Sequence, residues 1–173
     1  HPMHRAKEYK RALSATKLDK VFAKPFIGAL EGHSDGVMCL AKSPTQLSVA
    51  ASGAADGEIR LWDVPSRRAL RLLMGHQGAV RGISVTHDGK RCVSCGDDAT
   101  VRVWRMPADD DATYEDGDRH CLLVLSGHTA SVCAVCVDDT GARIFSAGAD
   151  NYVRIWNVVA GTAENGEPNC TRS

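Results

Sequence analysis

Short apolar runs separated by tight turns are the main pattern along this chain. The pattern is complete in one stretch, where four such runs follow one another: Ala79–Val85, Arg91–Cys95, Thr100–Arg105 and Cys121–Leu125. Runs of this length that are rich in β-branched residues are typical of strands. Within the third run, Val101-Arg102-Val103 fits a strand that is packed on both faces. The pattern therefore predicts a unit of four short strands.

Glycine marks the turns between these runs. Gly89 lies in the turn His87–Lys90, Gly141 ends the turn Asp138–Gly141, and Asp56-Gly57 forms a third turn. Glycine adopts a positive φ without the steric cost that other residues meet, so it is favoured where a hairpin reverses. One such turn in each of three successive stretches indicates that the unit is repeated.

Four residue types recur at nearly fixed spacing in the three units. A Gly-His pair is followed by Ser after 19, 18 and 18 residues, by Asp 4 residues later, and by Trp after 6 more. The sets are His33, Ser52, Asp56 and Trp62; His76, Ser94, Asp98 and Trp104; and His128, Ser146, Asp150 and Trp156. The copies start 43 and 52 residues apart, against roughly 40–45 for a WD repeat. The sequence therefore predicts an all-β fold containing three blades of a WD-repeat β-propeller.

The recurring residues are interpreted as structural tetrads. In a blade they can form a buried hydrogen-bonded chain, which satisfies polar groups that are costly to bury and fixes a loop to the strands. Ser, His and Asp also form the catalytic triads of hydrolases. A triad occurs once per active site, whereas this set occurs three times at blade spacing with a Trp attached. We therefore expect no catalytic residue and no enzyme activity.

Three blades leave two blade faces uncovered, because only a complete ring of about 4–8 blades covers every face. The run Phe26–Leu30, before the first Gly-His pair, is predicted to be the outer strand of a blade whose inner strands are missing. The chain is thus predicted to be the front part of a larger propeller. Its parts are a basic extension at 1–25, a partial propeller at 26–160 and a flexible stretch at 161–173.

Composition argues against several classes of function. The 173 residues carry 21 basic and 21 acidic side chains, so no overall charge favours nucleic acid or a membrane surface. No apolar run approaches the roughly 20 residues of a membrane helix, and no signal-peptide pattern opens the chain. Locally, residues 107–118 hold six acids and no base. That stretch predicts a mobile acidic surface loop.

The chain has seven cysteines, and four of them form two C-x-x-C pairs, Cys92 with Cys95 and Cys133 with Cys136. Both pairs lie in predicted strands, where residues three apart point to opposite faces, whereas zinc needs four ligands that converge. We interpret all four as buried structural thiols, with zinc or redox chemistry as the alternative. The odd number fits a reducing compartment. No metal and no cofactor are expected.

The opening segment is basic, with seven Lys or Arg in residues 1–24. The candidates for contact with RNA phosphates, or with an acidic protein partner, are Lys7, Lys10, Arg11 and Lys17. The alternative is a helix that packs on the propeller edge through Tyr9 and Leu13, which are four residues apart and share one face. No alternating aromatic residues indicate a base-stacking platform.

The same segment resembles a known family. The resemblance rests on His1-Pro2 and Lys7–Phe26, and on Leu30–Lys42, which matches the pattern L-x-G-H-x-D-G-V-x-C-L-A-K. Ser52–Arg60 and Val80–Ile83 are similar too. Over roughly residues 1–105 the chain resembles the Sof-type, or WD-and-Sof-domain, family of nucleolar WD-repeat proteins of the small-subunit processome.

This resemblance implies a seven-bladed propeller with a C-terminal Sof-type extension. It also implies association with the box C/D small nucleolar ribonucleoprotein and precursor rRNA during small-subunit assembly, in the nucleus and nucleolus. The expected function is that of a scaffold for ribosome-assembly proteins. The chain departs from the family in stopping after three repeats and in its acidic stretch.

Animal relatives of this family also resemble substrate receptors of cullin-type ubiquitin ligases, which provides the alternative function. Such receptors usually carry Trp-Asp-x-Arg after the third strand of a blade. The three sites here are Trp62–Pro65, Trp104–Pro107 and Trp156–Val159, and none has Arg in the fourth position. A ubiquitin-ligase adaptor is therefore the less favoured partner. A cytoplasmic WD scaffold of an unrelated pathway ranks third, because the opening segment argues against it.

Overall fold

The computed structural model describes residues 7–14, 16–17, 27–45, 47–107 and 120–158. Within these ranges the chain is helical at residues 7–14 and 16–17, and the rest is built of short strands and turns. The predicted acidic loop beyond Pro107 and the predicted stretch 161–173 lie outside the described residues. No helix in the described part of the chain is long and apolar enough to cross a membrane.

The first blade is a four-stranded antiparallel sheet with its strands in sequence order. They are β1 (Val37–Lys42), β2 (Val49–Ala54), β3 (Ile59–Asp63) and β4 (Arg68–Leu73). The turn between β2 and β3 contains Gly57 with φ 91°, in the region that favours glycine. It is closed by the amide of Ala54, which donates to the carbonyl of Glu58 at 2.9 Å.

The second blade repeats this sheet with β5 (Val80–Val85), β6 (Arg91–Gly96), β7 (Thr100–Arg105) and β8 (Cys121–Ser126). These bounds agree with the predicted strands to within one residue at each end, so the prediction is confirmed. Gly89 has φ 69° and its amide donates to the carbonyl of Thr86 at 2.9 Å. Glycine therefore closes this hairpin in the way that the sequence predicts.

The third blade has three strands in the described residues: β9 (Val132–Val137), β10 (Arg143–Gly148) and β11 (Val153–Asn157). The run predicted as an outer strand, Phe26–Leu30, is described at residues 27–30 and forms no strand there. An outer strand whose blade partners are missing is expected to be unpaired, and no strand of the described residues pairs with 27–30, so the assignment stays a prediction. The carbonyl of Ile27 instead accepts a hydrogen bond of 2.9 Å from Nη2 of Arg67.

The blades stack through their innermost strands, with β5 packed between β1 and β9. Small residues allow the close approach. A Cβ on Gly53 would lie 2.6 Å from Cγ1 of Val80 and 2.8 Å from Sγ of Cys39, which is closer than side-chain atoms can approach. Glycine at this position is therefore required by the packing of the first blade on the second.

Two apolar clusters fill the seams between the blades. The first joins blades 1 and 2 and includes Ile59, Leu61, Leu73, Val80 and Trp104. The second joins blades 2 and 3 and includes Val93, Val101, Val103, Ile144 and Trp156. Only the second blade, among the described residues, is covered on both faces.

The end blades leave apolar side chains exposed. Leu40 on β1 and Val153 on β11 are each 70% exposed, as expected for blade faces without a neighbour. Cys92 and Cys95 are buried, but Cys133 and Cys136 are exposed. The interpretation of the second pair as buried thiols is therefore wrong, because β9 is the innermost strand of an end blade and is covered from one side only.

Candidate functional site

The stacked sheets have two ends, which we call the tetrad face and the hairpin face. The tetrad face is formed by the β2–β3, β6–β7 and β10–β11 turns and by the connections that precede β1, β5 and β9. The hairpin face is formed by the β1–β2, β3–β4, β5–β6 and β9–β10 turns. Neighbouring blades are aligned, since Gly57 approaches the carbonyl of His76 on one face and Gly89 approaches Thr45 on the other.

The second blade joins its four predicted tetrad residues in one hydrogen-bonded chain. Nε1 of Trp104 donates to Oγ of Ser94 at 2.7 Å, and Nε2 of His76 lies 2.7 Å from the same oxygen. Nδ1 of His76 lies 2.9 Å from Oδ2 of Asp98. Because the indole can only donate, the Ser94 hydroxyl donates to Nε2, and Nδ1–H donates to the carboxylate.

Burial and the neighbouring groups set the protonation of His76 and Asp98. It lowers the pKa of His76, and the opposing effect of Asp98 does not cancel this shift. Burial alone would raise the pKa of Asp98, but the nearby His76 and hydrogen bonds from Thr100 and from the amide of Gln77 lower it. A neutral imidazole and an ionised carboxylate are the state that the hydrogen bonds require.

The third blade repeats the same arrangement. Nε1 of Trp156 donates to Oγ of Ser146 at 2.8 Å, Nε2 of His128 lies 2.7 Å from that oxygen, and Nδ1 lies 2.9 Å from Oδ2 of Asp150. Nη1 of Arg154 also donates to Asp150 at 2.6 Å. The carboxylate thus holds both the loop histidine and a strand arginine.

The first blade departs from this pattern at Asp56. Nε2 of His33 and Nε1 of Trp62 bond to Oγ of Ser52 at 2.5 and 2.7 Å, as in the other blades. Asp56, however, accepts from the Ser34 hydroxyl and from the amide of Glu58, and Nδ1 of His33 is buried without a hydrogen-bond partner. Of the twelve predicted tetrad residues, Asp56 is therefore the one that does not join the hydrogen-bonded network of its blade.

The residue after the β2–β3 turn also differs in the first blade. Glu58 occupies the position of Thr100 and Tyr152, and its carboxylate lies 3.9 Å from Nδ1 of His33, too far for a hydrogen bond. The same carboxylate forms an ion pair of 3.1 Å with Arg60. Burial, reinforced by the charge of Arg60, lowers the pKa of His33.

In the second and third blades, the hydrogen-bonded order Ser–His–Asp is that of a hydrolase triad, but the surroundings of the serine differ from those in a hydrolase. Ser94 is 0% exposed and Ser146 is 1% exposed. Each hydroxyl oxygen already accepts an indole N–H, which a nucleophile would have to release. A substrate carbonyl therefore has no access to these oxygens, and the geometry suits a structural role.

The sequence interpretation did not include Arg60, Arg102 and Arg154, which accompany the tetrads. Each lies four residues after the tetrad Asp and two before the Trp, so the repeat itself contained the signal. Arg102 and Arg154 lie 3.9 and 2.6 Å from the carboxylates of Asp98 and Asp150. These arginines neutralise acids on the tetrad face.

The candidate contact residues of the extension lie on the N-terminal helix. Lys7, Lys10, Arg11 and Lys17 are all exposed, and their spacing places them along one side of the helix. Tyr9 is 71% and Leu13 43% exposed, so in the described structure this pair is not buried against a blade. The residues given for RNA or partner contact are therefore accessible.

In the described part of the chain, no group of three His, Cys, Asp or Glu side chains is placed to hold a metal ion. All six described cysteines are free thiols, including both C-x-x-C pairs. The chemistry of the described residues is therefore that of hydrogen bonds, ion pairs and exposed charge.

The sequence model of the family described as "WD domain, G-beta repeat" matches residues 24–63, 67–105 and 119–157. This chain belongs to the WD-repeat family. Each matched segment contains one Gly-His pair and ends one residue after the tetrad Trp. The tetrads and the three blades are thus the three WD repeats of the chain.

Among curated proteins, this WD-repeat chain is similar to DDB1- and CUL4-associated factor 13 of several organisms. It is 51% identical to the Dictyostelium discoideum protein over 106 residues, which is 61% of the chain and 24% of that protein. It is 50% identical to the Homo sapiens protein over 159 residues, which is 91% of the chain and 34% of that protein. The chain spans about a quarter to a third of these relatives.

Among solved structures, the WD-repeat fold is similar to two propellers at a TM-score of 0.64. They are described as "Structure of U3-55K" and "Crystal structure of RRP9 WD40 repeats". Both are 25% identical to the chain. Each match includes 75% of the chain, and it includes 38% of the first structure and 37% of the second. The blades therefore have the arrangement of a WD-repeat propeller.

Proposed function

We propose that this WD-repeat chain is a non-enzymatic scaffold in small-subunit ribosome assembly and precursor rRNA processing. It acts in association with a small nucleolar ribonucleoprotein, in the nucleolus. The observation that carries the proposal is the likeness of Lys7–Phe26 and Leu30–Lys42 to the Sof-type family. The curated relatives, which are of the Sof type, support it through 50% identity over 159 residues.

The geometry of the blades supports a scaffold rather than a catalyst. In the Ser, His and Asp sets that the sequence singled out, each serine is buried and accepts a hydrogen bond from an indole. What the described chain exposes is a helix with four basic side chains, two blade ends and two sets of loops. Such surfaces suit the binding of partners.

The extension is the proposed contact with RNA or with an acidic protein of the particle. Lys7, Lys10, Arg11 and Lys17 are exposed on one helix, so their charges are free to approach phosphates without unpacking a core. Each phosphate neutralised releases counterions, which makes such binding sensitive to salt.

Depletion of the protein tests the function directly. Loss of the protein is expected to block maturation of small-subunit rRNA while large-subunit rRNA matures normally, as read by hybridisation of precursor rRNAs. Normal small-subunit maturation after depletion contradicts the proposal.

Re-expression of variants in the depleted cells tests the extension. A variant with Lys7, Lys10, Arg11 and Lys17 changed to Gln is expected to sediment less with pre-ribosomal particles. The matched control changes Tyr9 and Leu13 to Ala, which leaves the charge intact and is expected to sediment normally. If only the control variant is lost from the particles, the helix acts through apolar packing instead.

The second candidate is a substrate receptor of a cullin-type ubiquitin ligase. The name of the curated relatives, which refers to DDB1 and CUL4, favours it. Against it, the fourth residue of the expected motif is Pro65 after the third strand of the first blade and Pro107 after the third strand of the second. Affinity purification separates the two: precursor rRNA with small nucleolar RNA supports the scaffold, and cullin adaptor subunits alone support the receptor.

A further inference from the structure

Ion pairs lie on one face of the stacked blades. On the tetrad face each described arginine has a carboxylate within 4 Å. The pairs are Arg60 with Glu58 at 3.1 Å, Arg81 with Asp97 at 2.8 Å, Arg102 with Asp98 at 3.9 Å, and Arg154 with Asp150 at 2.6 Å. The arginines of this face are therefore already compensated.

The hairpin face carries a different set of cations, which we call the basic rim. Its members lie at strand ends or in a turn of this face: Lys42, Arg68, Lys90, Arg91, Arg105 and Arg143. All are exposed except Arg91, which is half-buried. None takes part in the ion pairs of the described part of the chain. Arg67 of the same face is excluded from the rim, because it bonds to the carbonyl of Ile27.

Three described carboxylates of the hairpin face help to close its turns, whereas Asp139 is exposed and six further acids lie in the connection from β7 to β8 at 107–118. Asp63 accepts from the amide of Ser66 at 3.3 Å, and Asp88 accepts from the amide of Lys90 at 3.0 Å. Asp138 accepts from the Thr140 hydroxyl at 2.8 Å. Burial alone would raise the pKa of Asp88, but the Thr86 hydroxyl, the amide of Lys90 and the charges of Arg91 and Lys90 lower it. Asp63 lies opposite Arg68, its Cα partner in the β3–β4 ladder. The basic rim is therefore only partly compensated.

Two arginines of the basic rim are directly opposed. Arg91 and Arg105 are Cα partners in the β6–β7 ladder, which places their side chains on the same side of the sheet, at the seam with the third blade. Like charges opposite each other destabilise a sheet. The equivalent partners are Val49 with Asp63 in the first blade and Arg143 with Asn157 in the third. Folding of a blade thus does not require the pair, and a bound anion would relieve it.

We propose that the basic rim binds the phosphate backbone of RNA without reading bases. The choice of RNA over other polyanions rests on the proposed function, whereas the phosphate site rests on the side chains. Arginine presents several N–H donors in a plane that matches phosphate oxygens. The rim has members in all three blades, so more than one phosphate can be contacted.

The surroundings of the basic rim favour RNA over a protein partner. Protein interfaces are anchored by aromatic and apolar side chains in well-packed centres. In the described residues the hairpin face exposes no Phe, Tyr or Trp. Its exposed aliphatic side chains include Leu47 and Val64, which lie in adjacent turns joined by the bond from the amide of Val64 to the carbonyl of Ser48. The lack of exposed aromatic rings also fits backbone binding rather than base stacking.

Matched single substitutions on the two faces test the proposal with the whole chain. Arg105→Gln removes a basic-rim charge, and Arg81→Gln removes an exposed charge that is paired with Asp97 on the tetrad face. Anisotropy of a labelled, mixed-sequence single-stranded oligoribonucleotide is measured from about 50 to 200 mM salt. Arg105→Gln is expected to lower the log–log salt slope by roughly 0.7 and Arg81→Gln to leave it unchanged.

Two further variants test whether RNA binding can be both weakened and tightened. The triple variant Arg91→Gln, Arg105→Gln and Arg143→Gln is expected to weaken RNA binding roughly tenfold to a hundredfold near 0.1 M salt, because each lost contact acts independently. Asp139→Asn, which removes an exposed acid of the hairpin face, is expected to tighten binding, while Asp35→Asn on the tetrad face is not. The Asp139 variant keeps the test valid if the triple variant does not fold.

The outcomes are distinct. Equal effects of the Arg105 and Arg81 variants overturn the proposal, and so does an RNA affinity that none of the basic-rim variants changes. Tighter binding to poly-glutamate than to RNA assigns the basic rim to an acidic protein and also overturns it. Because these measurements use only the purified chain, they can succeed when depletion leaves rRNA maturation normal, and they can fail when depletion blocks it.

Discussion

Nδ1 of His76 lies 3.0 and 2.9 Å from the two carboxylate oxygens of Asp98. The equivalent pair of the first blade, His33 and Asp56, makes no such bond, and Nδ1 of His33 stays buried and unpaired. The same residue types at the same spacing from Ser to Trp therefore produce two different networks. The difference predicts unequal effects of the same substitution.

Replacing Asp98 by Ala is expected to destabilise the chain by about 1–3 kcal/mol, because it leaves a buried imidazole N–H without its acceptor. Replacing Asp56 by Ala is expected to cost about 1 kcal/mol or less, since Nδ1 of His33 is unpaired already. Urea unfolding of both variants and of the parent chain measures the difference. Equal losses of unfolding free energy would show that the Asp–His bond contributes nothing.

The seam between the first two blades is expected to be intolerant of added volume at Gly53. A methyl group there would meet Cγ1 of Val80 at 2.6 Å, so Gly53→Ala is expected to cost about 1–3 kcal/mol through overpacking. Gly36→Ala is the matched control, because nothing lies within 4 Å of its Cβ position. Thermal unfolding of the two variants makes the comparison, and a Gly53 variant as stable as the control argues against close packing at this seam.

Acid is expected to destabilise the fold in two stages. Burial lowers the pKa of His76, so the unfolded chain binds more protons just below the ordinary histidine pKa of about 6.5, and stability falls as the pH drops through that range. The lowered pKa of Asp98 causes a further loss below the ordinary aspartate pKa of about 3.9. Melting temperatures between neutral pH and acid measure both.

Two histidine variants identify the source of the first stage. His76→Asn is expected to weaken the dependence of Tm on pH between about 7 and 5, because it removes one titrating group with a lowered pKa. His87→Gln changes an exposed residue of the β5–β6 turn and is expected to keep that dependence. An unchanged slope in the His76 variant would place the pH dependence elsewhere in the chain.

Thiol reactivity is expected to divide the cysteines by blade position. Burial raises the pKa of Cys92 and of Cys95 to about 12, which leaves little thiolate at neutral pH. Cys133 and Cys136 are exposed and are expected to be alkylated first by iodoacetamide under native conditions. Peptide mass mapping over time gives the order of reaction, and modification of Cys92 before Cys133 would contradict the packing of the second blade.

The repeat made much of this structure predictable from sequence. The Ser-to-Trp spacing placed β6 and β7, and glycine turns such as the one at Gly89 placed the hairpins, because these features depend on local chemistry. The exposure of Cys133 depends instead on whether another blade covers β9, which no local pattern reports. The first-blade network was not predictable from the Ser-to-Trp spacing, which is the same in all three blades, because Asp56 accepts from the Ser34 hydroxyl in place of the His33 imidazole.

The stacking of β5 between β1 and β9 has a consequence for how the fold opens. Each end blade shares one seam with a neighbour, whereas the middle blade shares two, so its separation exposes both apolar clusters at once. In such a linear array, stability is a sum of blade terms and nearest-neighbour terms. Amide hydrogen exchange is thus slowest in β6 and β7 and faster toward both ends, a gradient in local opening along the order of the blades.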